Sequence, residues 1–459
     1  MKVVKFGGTS VANAKQILKI IDIVKADPSR RIVVVSAPGK RAPDDIKITD
    51  LLISLASAVL AAKPYESHLA AVVERYAEIQ RELGLDNALV AEIDRDLHGR
   101  IENRSGSDPQ FMDAMKAAGE DNCAKLVAQA FVKQGIPAHY VDPRTAGMLL
   151  SEDFGNAQVL PESYERLACL KDTKDIAIFP GFFGYTQSGH VATFPRGGSD
   201  ITGSILAAAV KAEMYENFTD VDSVFAIDPR IVPNGKPIPT LTYRELRELA
   251  YAGFGVFHDE AVIPAIVAKV PICIKNTNRP EAPGTLVVPQ RKYQHGEVTG
   301  IASAAGFSTI YLSKYMMNRE VVFGRILLQI LEQEHLSFEH VPSGIDNMSV
   351  ILRSSHLTRA KEQHILNRIR DELHPDDVSV EHGLALIMLV GEGMRYAVGV
   401  AAQACAALAD AGVNLEMINQ GSSEISIMFG VKELDRKAAV EALARALLPH
   451  EAPAPKKPE

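Results

Sequence analysis

The chain has 459 residues, 47% of them hydrophobic and 23% charged, which suffices for sizeable cores and excludes disorder of the whole. At about 150 residues per domain, the length predicts roughly three domains. The formal net charge is −8 and no Lys/Arg block stands out, which argues against nucleic acid or an anionic membrane as partner.

Four cysteines (Cys123, Cys169, Cys273, Cys405) lie far apart with no CxxC, so neither a disulfide framework nor a zinc site is expected. They read mostly as core thiols in a reducing cytosol. The opening MKVVKF enters a strand-like run at once, without the pattern of a signal peptide. No apolar run approaches the ~20 residues of a membrane span. A cytoplasmic, soluble, multidomain protein is expected.

In chain order, Val3–Phe6 and Ile32–Val35 are short β-branched runs, with helical spacing over Val11–Ala26 between them. Further strands are expected at Ile176–Phe179, Val191–Phe194, Glu216–Val221 and Pro271–Ile274. Helices are expected at Leu51–Ala62, Asp113–Gln134, Ile201–Lys211 and Thr242–Tyr251. Alternation of this kind predicts a mostly parallel sheet covered on both faces, an α/β domain.

After the Pro/Gly-rich stretch Arg279–Gly284 the units shorten. Val298–Leu312, Val321–Glu334, Leu336–Val341, Met348–Leu352, Ala360–Leu373 and Val378–Glu381 fit strand, helix, strand, strand, helix, strand. Leu384–Val390, Ala397–Ala411, Val413–Ile418, Ile425–Phe429 and Arg436–Leu448 repeat the order. The two sets align without gaps: Leu336 falls on Val413, Glu339 on Glu416, Gly344 on Gly421 and Ser349 on Ser426. This is an internal duplication. Its second copy lacks a closing strand, because Pro449 onward reads as a disordered Pro/Lys tail. That copy needs a strand from elsewhere, from the first copy or a partner chain.

Two glycine-rich turns stand where strands give way to helices. In Lys5-Phe6-Gly7-Gly8-Thr9-Ser10 the glycines permit close backbone approach, Thr9 or Ser10 can cap the helix, and Lys5 supplies positive charge. An ordinary βα turn with a surface lysine is the bland alternative. Pro180–Gly184 followed by Arg196-Gly197-Gly198-Ser199-Asp200 repeats the logic, with Asp200 readable as a mere N-cap. Together they suggest a ligand carrying several anionic groups, such as a nucleoside triphosphate. No GxxxxGK[ST], complete dinucleotide fingerprint, HExxH or GxSxG occurs.

KFGGTS (Lys5–Ser10), VSAPGK (Val35–Lys40), PGFFGYT (Pro180–Thr186), RGGSD (Arg196–Asp200), FTDVDSVFAIDPR (Phe218–Arg230) and KNTNRPEAPGTL (Lys275–Leu286) together resemble the aspartate kinase family. The tandem modules after Thr299 resemble ACT domains, with Asn419–Ile425 similar to an effector-site hairpin. The resemblance spans nearly the whole chain. It implies a three-layer αβα amino-acid kinase domain over residues 1–297, ferredoxin-like βαββαβ ACT modules over 298–381 and 382–449, and a tail over 450–459. The length argues against the fused aspartokinase–homoserine dehydrogenase, which needs another domain.

The resemblance further implies ATP- and Mg²⁺-dependent phosphorylation of the β-carboxylate of L-aspartate, the first step of lysine, threonine and methionine biosynthesis. Lys5 would neutralise the transferring phosphoryl group and Asp200 would organise that lysine. Arg196, Gly197, Gly198 and Ser199 would hold the aspartate, Glu120 its ammonium, and Ser36 and Thr49 would hydrogen-bond it. Gly7, Gly8, Thr9, Ser10, Thr219, Asp220, Phe225 and Arg230 would contact the nucleotide. Phe225 replaces a frequent tyrosine, and Gly255 stands where relatives often carry a phosphate-binding lysine, leaving Lys275 as the nearest basic substitute in sequence.

Bland alternatives accompany several of these. Glu120 could form a solvated ion pair with Lys116 or Lys125, Thr49-Asp50 could cap a helix, and Arg230 could anchor a turn after Asp228-Pro229. His258-Asp259-Glu260 points apart along a helix start, so no protein metal cluster is expected. Effector contacts implied by the resemblance are Ser343, Gly344, Ile345 and Asp346 in one module and Asn419, Gln420 and Ser423 in the other. Lysine, threonine or both would be the effector, and ACT pairing implies at least a homodimer. The competing functions are a non-catalytic amino-acid sensor and a related kinase acting on glutamate.

Overall fold

Val3, Val4, Lys5 and Phe6 are all buried in β1 (Lys2–Phe6), so both faces of this strand are covered. It lies inside an eight-stranded sheet with β2 (Arg30–Val35), β3 (Ala138–Tyr140) and β4 (Ile176–Pro180) on one side. The hairpin strands β5 (Phe183–Tyr185) and β6 (Val191–Thr193) form a separate two-stranded sheet. On the other side of β1 stand β7 (Met214–Thr219), β9 (Ile272–Asn276), β10 (Thr285–Val288) and β8 (Thr240–Thr242), in that spatial order. Every pairing in the large sheet is parallel except β9 with β10. The computed structural model describes residues 1–448 apart from 105, 196, 234 and 255–259.

The helices are α1 (Ala14–Lys25), α2 (Ile48–Leu60), α3 (Glu66–Leu83), α4 (Ala88–Glu102), α5 (Asp108–Lys133), α6 (Pro143–Ala146) and α7 (Glu162–Leu167). They continue with α8 (Gly198–Ala209), α9 (Tyr243–Tyr251) and α10 (Ile263–Val267). Apolar faces of α1 through α5 share one core with Val4, Phe6, Val33, Val35, Ile178 and Phe218. The alternate residues of β1 and β7 face α8, which packs across β1, β2 and β7. Three layers result.

The chain divides into two compact units. The first comprises 1–224, 237–246 and the described part of 255–291; the second comprises 225–236, 247–254 and the described part of 292–459. Two stretches ahead of residue 297 thus cluster with the second unit. Within it the Ile301 N–H bonds the Ala226 carbonyl at 2.7 Å, and a Cβ on Gly253 would stand 3.0 Å from the Ser303 carbonyl oxygen.

The second unit is built on one five-stranded sheet. β11 (Gly300–Ser313) and β13 (Asp377–Val390) each run 14 residues, and between them in sequence come α11 (Phe323–Gln333), β12 (Asn347–Arg353) and α12 (Arg359–Leu373). After β13 follow α13 (Val400–Asp410), β14 (Met417–Asn419), β15 (Ser426–Lys432) and α14 (Arg436–Leu447). The order is β12-β11-β13-β15-β14. Gly300–Ala304 pairs with the far half of β13, which carries β15 and β14. Phe307–Ser313 pairs with its near half and with β12.

The missing fourth strand of the second copy is therefore Gly300–Ala304, the leading part of the expected first-copy strand Val298–Leu312, so the strand comes from the first copy. The change at 381/382 falls inside β13, and the first copy is nested within the second. Its expected strand Leu336–Val341 is reduced to a bridge between His340 and Ile351, and Val413–Ile418 to the three residues of β14. Cys123 and Cys273 are buried as expected of core thiols, whereas Cys169 is exposed. No described helix is long and apolar enough to cross a membrane. The tail beyond 448 lies outside the described residues.

Candidate active site

The carboxyl ends of β1, β2, β4, β7 and β9 converge, the region where parallel sheets place their ligands. Phe6 hands over to Gly7, whose N–H bonds the Phe218 carbonyl at 3.2 Å. A short 3₁₀ turn, Gly8–Val11, follows. Thr9 and Ser10 do not cap α1. Its cap is Asn13, whose side chain accepts from the Gln16 N–H, because the 3₁₀ turn delays the helix. Ser10 is buried and shares a 2.7 Å hydrogen bond with Thr277. Thr9 is exposed.

The Ser36–Lys40 loop lies on this turn. Gly39 N–H bonds the Gly8 carbonyl at 2.8 Å, and a Cβ on Gly39 would stand 2.6 Å from the Gly8 carbonyl carbon. Ser36 N–H bonds the Phe6 carbonyl at 3.2 Å. Arg75 of α3 donates to the Gly39 carbonyl at 2.6 Å and pairs with Asp45 at 2.8 Å, fixing the loop from behind.

Lys5 is buried, and its Nζ lies 2.6 Å from Oδ1 of Asp200. Asp200 is not the N-cap of its helix. α8 begins at Gly198 with Gly197 (φ +79°) in the cap position, so Asp200 is in the first turn and free to reach Lys5. The Asn217 side chain donates to the same Oδ1 at 2.6 Å. Gly181 lets this turn approach β4, since a Cβ there would sit 2.6 Å from the Ser199 side chain. Arg196 lies outside the described residues.

Glu120 is 95% buried in the middle of α5 and its Oε2 has no hydrogen-bond partner. The solvated ion-pair alternative fails: Lys116 pairs with Asp113 at 2.8 Å and Lys125 with Asp121 at 3.3 Å. Burial pushes the Glu120 carboxyl up to about 8, against the opposing pull of the Ala37 N–H and the Lys5 charge. Gly119 allows α5 to sit against the loop, where a Cβ would meet that of Ala37 at 2.8 Å. Thr49, half-buried, is the second residue of α2 and not its cap. A buried acid with an open oxygen, beside a buried ammonium, can receive a cation and an anion of one small zwitterion.

Thr219 ends β7 and its hydroxyl bonds Asp220 at 3.2 Å. Phe225 and Arg230 belong to the second unit. Arg230 is exposed and its guanidinium holds Asp228 at 2.8 Å, which is the turn-anchor arrangement. Lys275 is a register partner of Phe218, which stacks on Phe6, so it projects from the sheet face opposite to Lys5 and Asn217. Residues 255–259 lie outside the described residues, and Glu260 is exposed.

Sequence reasoning passes over Asn217, Tyr215 and Arg75. The only signal for the first is a pair of polar residues, Glu216 and Asn217, in the middle of a strand-like run.

In the second unit the first-copy hairpin folds onto the turn before α11. Met316 N–H bonds Asp346 Oδ1 at 2.8 Å, Lys314 N–H the Asp346 carbonyl at 2.8 Å, and Asn318 N–H the Ile345 carbonyl at 3.2 Å. Gly344 N–H closes the hairpin on the Asn347 carbonyl at 2.8 Å, while Ser343 and Ile345 are exposed. In the second copy Asn419 and Gln420 are exposed and Ser423 half-buried. Asn419 Nδ2 stands 3.1 Å from His340 Nδ1, so the two copies meet there.

Comparison with known proteins agrees with this architecture. Residues 1–276 match the amino acid kinase family model, and 387–447 an ACT domain model. Aspartokinase 3 of Bacillus subtilis (strain 168) is 55% identical over 443 residues, 96% of this chain and 98% of the relative. The crystal structure of Clostridium acetobutylicum aspartate kinase matches with TM-score 0.87 at 37% identity, over 97% of this chain and all of that one. Escherichia coli aspartokinase III matches at TM-score 0.80 and 26% identity, over 98% of this chain and 100% of that one. It has been solved with aspartate and ADP and with lysine and aspartate. The chain belongs to the amino acid kinase family and, within it, to the aspartokinases.

Proposed function

We propose that this chain transfers the γ-phosphoryl group of MgATP to the β-carboxylate of L-aspartate, giving 4-phospho-L-aspartate and ADP, under control of an amino acid bound at its ACT modules. The observation that carries the reading is the buried Lys5–Asp200 pair beside the open carboxyl of Glu120, both at the mouth of two glycine turns. The E. coli relative bound to aspartate and ADP supports it.

The site fits both substrates. The Gly8–Gly39 contact packs the loop after β2 against the first turn, and the N–H groups of such a turn suit phosphate oxygens. The aspartate carboxylate is already a nucleophile, so no general base is required. One of its oxygens forms the new bond to phosphorus as the bond to the ADP oxygen breaks. Lys5 holds positive charge at the transferring group, and Asp200 keeps that ammonium aimed. Glu120 takes the substrate ammonium, Arg196 its α-carboxylate, and Ser36, Thr49 and residues 197–199 complete the cradle. Thr219 and Asp220 flank the nucleotide. Magnesium would be held chiefly by nucleotide phosphates and would supply charge neutralisation there.

For regulation, we assign the effector to the hairpins Ser343–Asp346 and Asn419–Ser423, with lysine favoured because the E. coli relative binds it. The kinase region covers 1–297 apart from the stretches that cluster with the ACT modules, and the active form is at least a homodimer.

The test is ATP-dependent acyl phosphate trapped with hydroxylamine, comparing L-aspartate, L-glutamate and N-acetylglutamate, each with and without lysine and threonine. Aspartate-specific product suppressed by lysine is expected. Product from glutamate alone, or none from folded protein with Mg²⁺, would overturn the assignment.

A further inference from the structure

We infer that Asn217 is a positioning residue for phosphoryl transfer: through its carboxamide it fixes the Asp200 carboxylate, and thereby the aim of the Lys5 ammonium. This rests on the kinase reading above.

Lys5 and Asn217 are register partners on the adjacent parallel strands β1 and β7, so their side chains leave the same sheet face about 4.8 Å apart. Both end on one atom. Asp200 Oδ1 receives Lys5 Nζ and Asn217 Nδ2, each at 2.6 Å. The second N–H of the same amide group reaches the Tyr215 hydroxyl at 3.3 Å, and that hydroxyl donates to the Asp200 backbone carbonyl at 3.1 Å. Asp200 is thus held by its side chain and by its backbone from two residues of one strand. Gly203, one turn on in α8, makes room: a Cβ there would stand 2.6 Å from the Tyr215 hydroxyl oxygen.

A packing role alone does not account for the residue type. Asn217 is 3% exposed and its neighbour across β9 is the fully buried Ile274, so an aliphatic side chain would suit the position. Burying an amide costs free energy that its hydrogen bonds must offset. Here those bonds go to the group that orders Lys5. Without Asn217, the carboxylate on the first turn of α8 keeps Lys5 as its one side-chain partner among the described residues and can rotate with it.

The test is Asn217→Leu and Asn217→His, each in the native and the Asp200→Asn background, with steady-state kinetics on aspartate and ATP. Reactivity of Lys5 toward an amine-directed label is read in parallel by peptide mass spectrometry. Expected is a fall in kcat of about 10²-fold for Asn217→Leu with both KM values within about twofold, since a misaimed group costs turnover more than binding. Partial recovery is expected in Asn217→His, whose ring N–H reaches the same place. No further loss is expected in the Asp200→Asn background. Lys5 labelling should rise severalfold in Asn217→Leu and in Asp200→Asn, without adding in the double variant. An equal kcat loss in both backgrounds, a KM effect at constant kcat, or unchanged Lys5 labelling in folded Asn217→Leu would overturn the proposal. Labelling is independent of turnover. Absence of aspartate kinase activity in the native chain would therefore count against the kinase reading, while the labelling still decides whether Asn217 governs the pair.

Discussion

Gly39 and Gly8 touch backbone to backbone: the Gly39 N–H bonds the Gly8 carbonyl at 2.8 Å, and the space where a Gly39 Cβ would go is already filled by Gly8 and Thr9. This contact joins the loop after β2 to the turn after β1, which in the proposed function serve aspartate and nucleotide respectively. Gly39→Ala must push the two apart. Overpacking of this kind costs about 1–3 kcal/mol. The expected outcome is a melting temperature lowered by a few degrees and a raised KM for both ATP and aspartate, measured by calorimetry and by the hydroxylamine assay.

Lys5→Ala removes the positive charge from the transferring group and leaves Asp200 beside an uncharged gap. Loss of one such stabilising group lowers kcat by about 10²–10³-fold. Lysine binding at the ACT modules, followed by calorimetric titration, should persist. Retained turnover would remove Lys5 from the mechanism.

The Glu120 carboxyl is pushed up to about 8 by burial, so in the empty site it gains its proton as pH falls through that value. An ammonium substrate needs it ionised, so binding below that value must expel a proton. Affinity for aspartate should fall as pH drops, by about tenfold per unit well below 8. The folded chain holds this proton over a pH range in which an unfolded glutamate, at 4.5, has released it. The contribution to stability is therefore full below 4.5 and is lost as pH rises toward 8. Glu120→Gln should flatten both profiles and weaken aspartate binding at pH 8.5. KM against pH, with thermal melts at the same pH values, checks it.

Asp346 accepts from the Met316 N–H and so holds the turn that leads into α11. Met316 sits at φ +64°, a conformation that a residue with a side chain keeps only when held. Asp346→Ala should raise the lysine concentration for half-inhibition at least about tenfold, a change typical of allosteric coupling, with kcat unaltered. Inhibition curves at saturating aspartate measure this directly.

Local sequence carries much of this architecture. Val3–Phe6 and Ile32–Val35 read as strands because each is a short run rich in β-branched residues, and the helical spacing of Ile17, Ile20, Ile21 and Val24 marks α1. Boundaries are less legible: α1 starts at Ala14 because the 3₁₀ turn Gly8–Val11 intervenes. The reading also passes over α3 and α4, although Leu69, Val72, Tyr76, Ile79 and Leu83 recur at helical spacing. At the site, the motifs mark Lys5 and Asp200. Neither spacing nor composition reveals that Asn217 ends on the same oxygen, since that follows from strand order. Glu120 is similar: its lysine neighbours in sequence turn out to serve Asp113 and Asp121. The missing strand of the second copy is legible as a deficit with two possible sources, and only strand pairing decides for the first copy.

That nesting has a consequence for how the regulatory region can be altered. β11 and β13 each belong to both modules, so no single cut in the chain separates one from the other. Removing everything after the first copy would strip the partner from Gly300–Ala304 and leave an apolar strip open to solvent. Excising the first copy and rejoining its ends would instead leave the second with all four of its strands. The two are inherited and engineered asymmetrically: one is a removable insert, the other the frame that carries it.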